Sequence, residues 1–109
     1  MRMLIVVGLA LWATTASAAE YTSLGHGNAS CGRWQEERRK PNPQYRFLLQ
    51  AWVLGYITRA NYEVGGDLTA GTDELGVFAW IDNYCRANPL KNVAAAAEAL
   101  VDTLGKPKR

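Results

Sequence analysis

Apolar side chains along this chain return every three or four residues, which is the period of an α-helix. The longest such run covers 44–64, where the repeating positions are Tyr45, Leu48, Leu49, Trp52, Tyr56 and Ala60. Two further runs cover about 73–87 and 90–104, and a short charged segment at about 32–40 precedes them. No stretch of useful length alternates with the two-residue period of a strand. The pattern therefore predicts an all-α fold, a small bundle of about four helices.

Glycine, proline and capping residues mark where these helices are expected to begin and end. We expect Gly65-Gly66 to stop the second helix, Thr72 to cap the third, and Asn88-Pro89 to close the third and open the fourth. Gly55 lies inside the second helix, where glycine costs about 1 kcal/mol relative to alanine. We interpret it as a point where another helix approaches closely.

Charged residues on these helices are interpreted as solvated surface. In the first helix Trp34 is expected to face inward, while Glu36-Glu37 neutralises most of the basic run Arg38-Arg39-Lys40. On the third helix Asp82 and Arg86 stand four residues apart, a spacing at which they can pair. None of these groups predicts a catalytic site.

The N-terminal segment has the pattern of a secretory signal peptide over 1–18. A short cationic start is followed by an apolar run at 4–13 and by Ala16-Ser17-Ala18, the small residues of a cleavage site. The run is about half the ~20 residues of a spanning helix, so no stable membrane anchor is expected. Cleavage near Ala18 would leave a periplasmic or secreted protein with a flexible lead-in at 19–30, a helical domain at 31–105 and a basic tail at 106–109.

Length and charge exclude several classes of protein. The chain has 109 residues, which suits one domain, and a formal charge of +2, which is too weak to argue for nucleic acid. Cys31 and Cys85 are its two cysteines, and in an oxidising compartment such a pair is expected to form a disulfide. His26 is the single histidine and no metal-ligand spacing accompanies it. We expect no enzyme, no catalytic residue, no metal and no cofactor.

One segment around the second cysteine resembles a known family. Tyr84-Cys85-Arg86-Ala87-Asn88-Pro89, with the alanine-rich helix after it, is similar to the second-cysteine segment of the HdeA/HdeB group of small periplasmic proteins. The resemblance spans roughly 31–104. It implies an all-α fold whose single disulfide corresponds to Cys31–Cys85.

The resemblance also implies a function. Such a protein is a homodimer at neutral pH that dissociates in acid, exposes apolar surface and holds unfolding periplasmic proteins. Protonation of the carboxylates at about pH 2 would leave a strongly positive chain whose self-repulsion loosens the helices. The candidate apolar contact residues for unfolded proteins are Trp52, Tyr56, Trp80 and Tyr84.

A second resemblance leads to a different function. The stretch from Gly71-Thr72-Asp73 to the last helix is similar to the Tai-type immunity proteins, which neutralise type VI secreted amidases in the periplasm. That resemblance implies one rigid epitope and one specific protein partner. A purely structural subunit of an envelope assembly is a third interpretation.

Overall fold

The computed structural model describes residues 21–39 and 42–105, together with Gly8. Four α-helices follow a short 3-10 helix at Gly25–Asn28, and they are α1 (Cys31–Arg39), α2 (Pro43–Val64), α3 (Glu74–Ala87) and α4 (Val93–Leu104). The described part contains no strand, only one isolated bridge between Ser30 and Asn92. The predicted all-α bundle is confirmed. The predicted signal peptide and basic tail fall on residues outside the described ones, apart from Gly8.

The ends of α2 follow the predicted chemistry. The side chain of Asn42 accepts a hydrogen bond from the backbone N–H of Tyr45, 3.3 Å away, and Pro43 occupies the first helical position. Gly65 closes the helix with φ 69°, a left-handed conformation that glycine adopts without strain.

Two of the predicted caps are wrong. Asp73 rather than Thr72 caps α3, since its carboxylate accepts from the N–H of Gly76 at 2.9 Å. Asn92 rather than Asn88 opens α4, accepting from the N–H of Ala95 at 2.9 Å.

The late start of α4 has a tertiary cause. The N–H of Cys31 donates to the carbonyl of Lys91 at 2.8 Å, and the N–H of Val93 donates to the carbonyl of Ala29 at 2.9 Å. These bonds hold the segment before α4 against the segment before α1. The apolar pattern predicted a helix from residue 90. These bonds hold the backbone out of the helical conformation there, and α4 begins only at Val93.

The core lies between the four helices, because α2 and α3 each pack on both α1 and α4. Trp34 is 1% exposed, so its predicted inward orientation is confirmed. The other large buried side chains of the core are Leu49, Val53, Ile57, Phe78, Ile81, Val93 and Leu100. A disulfide joins Cys31 at the start of α1 to Cys85 in α3, as predicted, and both cysteines are fully buried.

The segment before α1 differs from the irregular lead-in that its composition predicts. Its 3-10 helix packs on α2 and α4, with Gly27 buried beneath the ring of Trp52. A Cβ atom at Gly27 would overlap the indole ring, so only glycine fits there. The indole Nε1–H of Trp52 also donates to the carbonyl of Leu24 at 2.8 Å. This part of the chain is therefore packed structure.

The expectation for Gly55 is wrong. Gly55 is exposed, and a Cβ built on it has no neighbouring atom within 4 Å. None of the described helices approaches α2 at this point, and Gly55 lies on an exposed part of the helix. Among the described residues, no helix is long and apolar enough to cross a membrane.

Candidate functional site

The four aromatic residues predicted to form an apolar contact surface lie in two stacked pairs. The rings of Trp52 and Tyr56 are 5.5 Å apart at 27°, and those of Trp80 and Tyr84 are 5.7 Å apart at 16°. All four side chains are half-buried. The first pair belongs to α2 and the second to α3, and within the described residues no ring of one pair stacks on a ring of the other.

The pair on α2 is occupied by the chain's own N-terminal segment. Trp52 covers Gly27, as described above, and Tyr56 lies near acidic residues of α4. Burial raises the pKa of Tyr56, with the negative charges of Glu98 and Asp102 adding to the effect. Burial, followed by a hydrogen bond to Glu98, raises the pKa of Tyr21 to about 12. This side of α2 and the neighbouring face of α4 together anchor residues 21–28.

The most exposed apolar surface on α2 is one that the sequence pattern did not separate from the buried face. We call it the outer face of α2, and it consists of Phe47, Leu48, Ala51, Gly55 and Tyr62. At about 100° per residue these positions fall within one arc of about 100°. Phe47, Leu48 and Tyr62 are 61%, 49% and 77% exposed.

Two arginines lie over the aromatic rings of the outer face. The guanidinium carbon of Arg46 is 5.8 Å from the ring centroid of Phe47, and that of Arg59 is 5.2 Å from the ring of Tyr62. Both distances are within the range of a cation–π interaction. The outer face thus combines aromatic area with positive charge, the residue types that dominate protein-binding hot spots.

A polar cleft separates α1 from α3 on another side of the bundle. We call it the arginine cleft, and it is lined by Gln35, Arg38, Arg39, Asp82 and Arg86. Its volume is about 260 Å³. Asp82 is held from two directions, since Arg38 donates to it from Nε at 3.0 Å and from Nη2 at 2.9 Å while Trp34 donates from Nε1 at 2.7 Å.

These contacts correct two predictions about charge. Asp82 pairs with Arg38 of α1 rather than with Arg86, whose Nη1 donates to Asn83 at 2.8 Å. Glu37 does not neutralise the basic run, because its side chain is buried and pairs with Arg33 at 3.2 Å. The described part of that run therefore keeps more positive charge at the surface than its sequence neighbours imply.

Glu37 belongs to a small cluster at the junction of α1, α2 and the 3-10 helix. Its Oε2 is buried and has no hydrogen-bond partner in the described part. Arg33 lies over the ring of Tyr45 at 4.4 Å, and the half-buried His26 meets the edge of the same ring at 5.4 Å. The single histidine is thus packed against an aromatic ring.

Comparisons of the chain with protein families, with curated proteins and with solved structures give no match. Within the described residues, no group of three or more metal-ligating side chains lies together. The fold and its surfaces define a small, disulfide-linked helical protein with one exposed apolar helix face and one positively charged cleft.

Proposed function

We propose that this chain is an exported, non-enzymatic protein that binds unfolded proteins in the periplasm, in the manner of the HdeA/HdeB group that its Cys85 segment resembles. The observation that carries the proposal is the outer face of α2. It exposes Phe47 and Leu48 side by side near the start of α2, and Tyr62 about 20 Å further along the same face of the helix. Exposed apolar patches of this kind mark sites of protein interaction.

Acid would expose further apolar surface by loosening α1. The helix has nine residues, too few to be stable alone, and its described ion pairs run to Asp82 and Glu37. Protonation of carboxylates removes both pairs while Arg33, Arg38 and Arg39 stay charged and repel one another. The buried Trp34 would then become available to an unfolded protein. The Cys31–Cys85 disulfide would keep the loosened chain compact.

The proposal is tested by following sedimentation and tryptophan emission of the purified protein from pH 7 to pH 2, beside an aggregation assay with an acid-labile protein. We expect tertiary packing to be lost reversibly between about pH 4 and 2, with the acid-labile protein kept soluble. A chain that stays folded and protects nothing would rule out this function.

Two matched variants assign the activity to the outer face. Phe47→Ser with Leu48→Ser removes exposed apolar area from that face, whereas Leu75→Ser with Leu90→Ser removes it from elsewhere, where these leucines are 74% and 98% exposed. We expect the first pair to lose most of the protection and the second to keep it. Equal protection by both would show that the outer face is not the contact surface.

The outer face already presents arginine–aromatic contacts in the folded protein, and this favours a second candidate function, an immunity or inhibitor protein with a single partner. The Arg46–Phe47 and Arg59–Tyr62 contacts supply hot-spot residue types without any unfolding. Such a protein would bind one secreted effector enzyme tightly at neutral pH and would have no need to unfold in acid. The test is binding at pH 7 to a secreted enzyme encoded by a neighbouring gene. Tight binding that is lost in the Phe47→Ser, Leu48→Ser variant would favour this candidate.

A further inference from the structure

The arginine cleft contains more positive charge than its own acidic residue can balance. Three guanidinium groups line it, from Arg38, Arg39 and Arg86, against the single carboxylate of Asp82. Arg38 neutralises that carboxylate through the forked contact described above. Within the described residues neither Arg39 nor Arg86 forms an ion pair, so two positive charges remain at the cleft.

The fold holds the two sides of the cleft at a fixed spacing. Gln35 and Arg39 are one turn apart on α1, and Asp82 and Arg86 are one turn apart on α3, so each pair lies on one face of its helix. The buried Cys31–Cys85 disulfide and the hydrogen bond from Trp34 to Asp82 join the two helices. A ligand would therefore meet donors that rise from two helices at a fixed spacing, so binding requires no movement of the backbone.

Helix termini alone do not account for this arrangement. Arg39 and Arg86 lie in the last turns of α1 and α3, where a cation is favoured by the helix dipole. The helix dipole favours a cation in the last turn whichever way its side chain points, so it does not explain why both side chains point into the cleft. Here both side chains line the same cleft, beside a carboxylate whose charge is already compensated.

The size and the donors of the cleft limit the ligand. Its volume of about 260 Å³ lies below the ~300–1000 Å³ typical of sites for drug-sized ligands. Guanidinium groups bind phosphate and carboxylate oxygens through two parallel N–H donors, and Gln35 adds an amide donor. We propose that the arginine cleft is a binding site for a small oxyanion carrying two negative charges, of the phosphate or dicarboxylate type. This site does not depend on the function proposed for the outer face of α2.

The experiment is a titration of the purified protein with inorganic phosphate at pH 7.5, with sodium chloride holding the ionic strength constant. Two-dimensional NMR follows the indole N–H of Trp34, which donates to Asp82 at the cleft, beside the indole signals of Trp52 and Trp80. We expect a saturable shift at Trp34 and at the cleft arginines, with little change at Trp52 and Trp80. A parallel titration with succinate distinguishes the two sources of oxyanion, because the tighter ligand identifies the preferred geometry.

Two variants of equal charge separate a site from general attraction. Arg39→Gln with Arg86→Gln removes the two uncompensated charges, and Arg46→Gln with Arg59→Gln removes two charges from the side of α2. We expect the first pair to weaken phosphate binding at least about tenfold and the second to change it little, with both retaining the unmodified melting temperature. Shifts that never saturate, or equal weakening in both variants, would overturn the proposal. A variant with a lowered melting temperature is replaced by Arg39→Lys with Arg86→Lys, which keeps the charge but loses the planar donors and is expected to bind phosphate more weakly.

Discussion

Trp34 donates its indole N–H to Asp82 over 2.7 Å, which couples the buried aromatic residue of α1 to a half-buried carboxylate of α3. Arg38, one turn after Trp34, donates two hydrogen bonds to the same carboxylate from the solvent side. One acidic residue thus satisfies a buried donor and an exposed cation together. This contact and the disulfide attach a nine-residue helix that could not persist alone.

Replacing Asp82 should separate its two roles. In Asp82→Ala the indole N–H of Trp34 has no acceptor, and an unsatisfied buried donor costs about 1–3 kcal/mol of unfolding free energy. In Asp82→Asn the amide oxygen can still accept, so the loss should be confined to the ion pair with Arg38, about 1 kcal/mol or less at this partly exposed position. Urea denaturation of both variants gives the two values. Equal losses would mean that the indole contact contributes little.

Two glycines should respond in opposite directions to the same substitution. Gly27→Ala places a methyl group against the ring of Trp52 and should destabilise the fold by about 1–3 kcal/mol, the usual range for overpacking. Gly55→Ala meets nothing within 4 Å in the middle of an exposed helix face and should stabilise it by up to about 1 kcal/mol. Melting temperatures of the two variants provide the comparison. A stabilising Gly27→Ala would contradict the packing of the 3-10 helix under Trp52.

Removing the disulfide should lower stability strongly. Cys31 and Cys85 are 54 residues apart, and the chain-entropy model gives a loop of this size about 4 kcal/mol. The double variant Cys31→Ala, Cys85→Ala should therefore melt well below the oxidised protein. Because both sulfurs are fully buried, mild reductant should leave the folded disulfide intact and act only after denaturant is added. Rapid reduction of the folded protein would contradict that burial.

Tyr21 should titrate last among the phenols whose pKa is raised. Burial first, and then the hydrogen bond and negative charge of Glu98, raise the pKa of its phenol to about 12. The folded state therefore favours the protonated phenol, so its contribution to stability is complete below about pH 10 and is lost as the pH rises through about 12. Absorbance at 295 nm should show this last step, which Tyr21→Phe removes and Glu98→Gln moves to lower pH. An unchanged titration curve in Glu98→Gln would show that the contact is absent in solution.

Much of the local structure could be predicted because it depends on near neighbours. The repeat of apolar residues located α3, and the glycine pair after Val64 ended α2, since helix period and chain reversal are set within a few residues. Capping at Asp73 was missed because Thr72 beside it offers a second side-chain acceptor. Capping at Asn92 was missed because long-range backbone bonds to the segment before α1 set where α4 begins.

The candidate surfaces were harder to predict for a physical reason. The middle of α2 is apolar on every side, so its period does not say which side is buried. Leu48 belongs to the same apolar repeat as the buried Leu49, although it is 49% exposed. Likewise Asp82 has a possible partner one turn away in Arg86, yet it pairs with Arg38, 44 residues distant.

The sequence by itself determined that this chain forms helices, roughly where they lie, and that its two cysteines pair. Those properties follow from periodicity, capping chemistry and cysteine number, which are local or compositional. Only the tertiary structure decided that Gly27 supports Trp52, that the outer face of α2 meets solvent, and that Arg39 and Arg86 line one cleft. These arrangements depend on which helices pack together, and packing is set by contacts between residues far apart in the chain.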